Sequence, residues 1–157
     1  MRSLASPKRP GAEAGPSSIV DARVAAITTL LFCVLLLGMG GLLVELVLLA
    51  HYEDLNQRIP LALLGAGIVV LVVEWRSPAP VRRLLIQLVM VLFIVGGLLG
   101  MYLHFAGSRE FQLEMDPQMR GMTLVWHVLQ AKSPPTLSPG MMVQMGILGL
   151  GYAYLRK

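Results

Sequence analysis

One cysteine in 157 residues, Cys33, excludes an internal disulfide and leaves the redox compartment open. Phe32 precedes it where a lipoprotein cleavage site needs a small residue, so Cys33 reads as a small packing hydrophobe. Charge is scarce as well: 14% of the residues are Asp, Glu, Lys or Arg, against about a quarter in soluble domains. The chain has no glycine loop ending in Lys-Ser or Lys-Thr, no CxxCH haem site and no GxSxG elbow. No catalytic motif stands out, so the chain is not expected to be an enzyme, and no cofactor is expected.

What the chain has instead is apolar length. Hydrophobic residues make up 55% of it and the mean hydropathy is +0.69. They gather into runs close to the ~20 residues that cross a hydrocarbon core of ~30 Å, which leaves little chain for a separate soluble domain. The net charge of +4 is no sign of nucleic-acid binding, because the basic residues stand at the ends of apolar runs, where they orient helices in membranes.

Residues 1–17, "MRSLASPKRPGAEAGPS", are rich in Pro, Gly, Ser and Ala and read as a disordered tail. Ser18 and Asp21 form a helix start signal. Val24 to Ala50 then runs for 27 residues with Glu45 as its only charge, far longer than a signal-peptide core, and predicts an uncleaved first span. Pro60 suits the first turn of a second helix, whose apolar part ends at Val73. These 14 residues would cover only ~21 Å, so span two (60–75) needs Trp75 and Arg76 near the headgroups, a thinned bilayer, or a re-entrant path.

Pro80 opens a third span, 80–105. The segment 107–138 is read as an outer loop. In it "EFQLEMD" alternates Phe111, Leu113 and Met115 with polar residues in the manner of a half-buried strand. "GMTLVWHVLQA" places Met122, Val125, Trp126 and Leu129 on one helical face, the pattern of a short helix lying at the interface. After the extended "KSPPTLSPG", Ser138 and Pro139 read as N-cap and first position of a fourth span, 139–155. The expected fold is an all-α, four-span polytopic bundle with an interfacial helix in the third loop.

Counting Lys and Arg assigns nine of thirteen to one side: four in the tail, three between spans two and three, two at the C-terminus. The short dense segments agree, which predicts both termini in the cytoplasm. The plan resembles that of small four-span proteins of the bacterial inner membrane.

Four sets of residues are candidates for chemistry. Glu45, inside an apolar run, is either a proton or cation group of elevated pKa or a carboxyl bonded to a hydroxyl or backbone group in the bundle. His51, six residues on, falls about 120° away around the helix and cannot share a ligand with it; Tyr52 lies more nearly above it. With the orientation above, His51, His104 and His127 share the outer side with Glu53, Asp54, Glu110, Glu114 and Asp116, the donor set of a zinc-like site, although no two histidines have a ligand spacing. Met119 and Met122, in "MDPQMRGM", have a spacing that could gather a soft ion such as Cu(I), or are gap fillers. Gly96 and Gly100 form a GxxxG pair suited to close helix approach, and Trp126 is the expected partner contact.

The function expected from these features is that of a structural or accessory subunit of a larger membrane complex, with other membrane subunits or a second copy as partners. The alternatives are a small transporter or ion-handling protein using Glu45 with an outer vestibule, and outer-face Zn or Cu binding.

Overall fold

The computed structural model describes residues 15–50, 52–130 and 137–156. Among them the chain is all-helical: α1 Pro16–Leu48, α2 Leu55–Arg76, α3 Pro80–Met115, α4 Gly121–Leu129 and α5 Leu137–Leu155. Three of these, α1 (from Ser17), α2 and α3, are long and apolar enough to cross a membrane.

Several boundaries differ from those expected, each for a local reason. α1 starts two residues inside the expected tail, with Gly15 as N-cap and proline in the first turn. Ser18 is therefore already helical, and its hydroxyl donates to the Gly15 carbonyl at 2.7 Å instead of capping. α2 begins at Leu55, not at Pro60. Gln57 Oε1 accepts from the backbone N–H groups of Glu53 and Asp54 at 3.0 and 3.3 Å, the reach-back half of a capping box, and this sets the start five residues earlier. Pro60 then lies inside the helix. The resulting 22 residues span ~33 Å, so the shortfall expected for span two disappears.

α3 runs on for ten residues past Phe105, and Phe111, Leu113 and Met115 are helical, not strand-like. With no glycine or proline between Ser108 and Met115, nothing in that stretch stops a helix already under way. The expected outer loop therefore shrinks to the corner before α4 and the chain after it. α5 begins at Leu137, one residue before the expected cap. The extended connection expected over residues 131–136, and most of the tail, lie outside the described residues.

Each long helix buries a narrow stripe. It reads Leu35, Met39, Leu42 and Leu46 in α1; Leu64, Gly67, Leu71 and Glu74 in α2; Ile86, Met90, Phe93 and Gly97 in α3; Met142, Met145, Gly149 and Tyr152 in α5. Steps of three and four residues make this the seam of an antiparallel bundle. Backbones approach within 8 Å between α1 and α2, α2 and α3, α3 and α5, and α5 and α1, but not between α1 and α3 or α2 and α5. The four helices thus form a ring across whose diagonals the backbones stay apart. Contacts of Gly97 with Pro139 and Val143, and of Gly146 with Met90 and Ile94, make α3 and α5 antiparallel.

Outside the seam the helices stay apolar. Leu37 and Leu48 in α1, Val69 in α2 and Leu92 in α3 are all more than half exposed, and Cys33 also faces outward. Water would penalise such a surface at about 25 cal/mol per Å², whereas acyl chains cover it without penalty, so the location is a membrane.

Candidate functional site: a buried carboxylate between α2 and α5

Carrying the α2 seam one step past Leu71 reaches Glu74, and carrying the α5 seam one step past Tyr152 reaches Arg156. Ridges of opposite charge thus meet at the same end of the bundle. Glu74 is 1% exposed. Tyr152 Oη donates to its Oε2 at 2.6 Å, and Arg156 Nε lies between the two carboxylate oxygens at 3.0 and 3.1 Å. Arg156 Nη2 donates to the Trp75 carbonyl at 2.7 Å, and the guanidinium carbon stands 4.4 Å from the Trp75 ring centroid. Phe32 of α1 stacks on Trp75 at 4.2 Å with the rings 18° apart.

The arrangement answers the usual objection to a buried ion pair. Desolvating a carboxylate costs several kcal/mol, and the Coulomb attraction compensates only where the remaining lone pairs and protons find partners. Here both oxygens are bonded, two guanidinium nitrogens donate, and the aromatic faces cover the cation. The phenol supplies a third polar partner. Such a carboxylate, shut off from solvent, is suited to holding helices together. Beside it a groove of about 320 Å³ is lined by Asp21, Thr28, Thr29, Trp75 and Arg156 among others. Among the described residues that line it, the cation Arg156 is already paired with Glu74, while Thr28 and Thr29 bond back to the Val24 and Ala25 carbonyls.

The residues singled out in the sequence lie elsewhere. Glu45 is exposed at the opposite end of α1, and its Oε1 accepts from Ser138 Oγ of α5 at 3.2 Å. The hydroxyl partner envisaged for it is thus present, but the group is not buried in the bundle. Glu45→Gln keeps that acceptor, so the fold and its thermal transition are expected to be unchanged, as scanning calorimetry of the two proteins checks.

His51 lies outside the described residues. His104 is exposed on α3, and His127 on α4 donates from Nδ1 to the Thr123 carbonyl at 2.8 Å. Among the described residues no three His, Cys, Asp or Glu side chains gather as metal ligands would. Met119 lines a groove of about 380 Å³ in the α3–α4 corner with Arg109, Leu113 and Leu124, while Met122 is not part of that lining and is 79% exposed. Gly96 and Gly100 face the chain's own Leu63 and Pro139; the tightest contact on this face is that of their neighbour Gly97. Trp126 is exposed on α4.

Fold and site together define an integral membrane helical bundle tied by an internal ion pair. Comparison with known protein families, characterised proteins and solved structures finds no match.

Proposed function

We propose that this chain is a structural or accessory subunit of a larger membrane complex, a four-span bundle with both ends cytoplasmic in a bacterial inner membrane. The observation that carries this reading is the outward face of α4. Leu124 and Val128 of that helix are buried, whereas Met122, Val125, Trp126 and Leu129, spaced i, i+3, i+4 and i+7, are turned away from the protein. An apolar stripe on both sides of a nine-residue helix leaves one side for something else to cover. Tryptophan and methionine are residue types enriched at contacts between proteins.

The α3–α4 corner is the proposed docking surface, with α4 lying at the outer membrane interface. α5, ~28 Å long and antiparallel to α3, is the fourth span. The orientation is supported by Arg76, Arg82, Arg83 and Arg156, which stand at helix ends on the same side of the bundle as the start of α1.

Extraction in mild detergent at native expression level is expected to bring down one or more membrane proteins in stoichiometric amount. Met122→Asp and Trp126→Asp are expected to remove them while leaving the helical circular dichroism unchanged. Recovery of the wild-type chain alone would overturn the proposal.

A further inference from the structure

We propose that α5 is a conditional span, kept in the bilayer by its contacts with α2 and α3 more than by its own hydropathy, and that the Glu74–Arg156 pair decides on which side the chain ends. The inference rests on the four-span reading above.

The first observation is compositional. Among the described residues, α5 is not one of the three helices that are long and apolar enough, by length and composition, to cross a membrane. Its 19 residues include Ser138, Pro139, Gln144, Tyr152, Tyr154 and four glycines. Such a segment is a weak stop signal, since glycine and polar groups add little to the transfer free energy that halts a helix in the bilayer.

The second observation is geometric. The α2 and α5 backbones nowhere come within 8 Å, so across this diagonal the bundle is joined by long side chains, with Glu74 reached by both Tyr152 and Arg156. Glu74 precedes α5 in the chain and can be in place on α2 when α5 emerges. An unpaired carboxylate buried in the bundle is costly, and a cation arriving at the end of α5 relieves it. Arg156 is the residue one turn beyond Tyr152, where a register error of one residue would carry it about 100° off the seam. The pair therefore selects both the crossing and its register.

Without the pair, the segment after α3 has only the packing of α5 against α3 and α1 to hold it, and part of the population is expected to end on the outer side. The test uses the 157-residue chain with Cys33→Ser and one cysteine added after Lys157. Intact cells are treated with a membrane-impermeant maleimide, then permeabilised and treated again. The otherwise wild-type chain is expected to react only after permeabilisation. In Glu74→Gln and in Arg156→Gln, reaction from outside is expected to rise from background to a large share of the chains. The exchanged pair, Glu74→Arg with Arg156→Glu, is expected to return it towards background.

Full protection in both single variants would overturn the inference and leave the four-span reading intact. Labelling of the otherwise wild-type chain from outside would instead remove the four-span reading and the inference with it. Should the single variants be degraded, the exchanged pair decides: recovery of a protected chain supports pairing, and no recovery overturns it.

Discussion

Glu74→Ala is expected to destabilise the bundle by about 3–5 kcal/mol, the usual cost of removing one member of a buried ion pair. The loss would come less from the missing attraction than from what is left behind. Arg156 loses both carboxylate contacts, and the Tyr152 hydroxyl, fully buried in the seam, loses its acceptor. Tyr152→Phe removes one hydrogen bond to a charged group and should cost about 1.5–3 kcal/mol. Replacing the charges together, Glu74→Leu with Arg156→Met, should cost much less than Glu74→Ala, because no buried charge remains uncompensated. Unfolding followed by circular dichroism during a detergent titration measures each difference. A double variant as unstable as the single one would show that packing around the site matters more than charge.

The second large effect is expected at the α3–α5 contact. A Cβ on Gly97 would stand 2.6 Å from the Pro139 carbonyl oxygen, 2.7 Å from Val143 Cγ2 and 3.0 Å from the Val143 nitrogen. Backbone atoms cannot swing aside, so the helices themselves must separate. Gly146 repeats the situation from α5, with the Met90 carbonyl oxygen at 2.7 Å. Even alanine at either position should cost about 1–3 kcal/mol, and Gly97→Leu should abolish the compact bundle. Gly100→Leu meets the Pro139 ring at 3.3–3.4 Å and should be milder; Gly41→Ala, with nothing within 4 Å, should be neutral. Elution volume and melting temperature in detergent rank the five variants.

These two sites also mark where the sequence could and could not be read. Three spans and the helix around Trp126 were legible because apolar length and a 3.6-residue period are local properties. The start of α2 is also legible, in Asp54 and Gln57, but Pro60 is the louder signal. Glu45 stands out in the sequence because it interrupts an apolar run. Glu74 does not, because it stands next to Trp75 and Arg76, where a span ordinarily ends and charge is common. Its partners lie 78 and 82 residues away, beyond any pattern of spacing. One clue was present: the seam Leu64, Gly67, Leu71 leads in its next step to Glu74, and the seam Met145, Gly149, Tyr152 leads to Arg156. Extending core stripes to their ends finds the pair. The GxxxG at Gly96 and Gly100 was found by its spacing, but which of three neighbouring glycines faces a backbone depends on helix rotation, which spacing does not specify.

The placement of the two tryptophans makes the molecule its own optical reporter. Trp75 is stacked on Phe32 and lies 4.4 Å from the Arg156 guanidinium, while Trp126 stands exposed on α4 beyond the other end of the bundle. Emission from a Trp126→Phe chain therefore reads the ion pair alone, and emission from a Trp75→Phe chain reads the surface of α4. Binding at one end and rearrangement at the other can be followed separately in the same membrane, without attaching a dye.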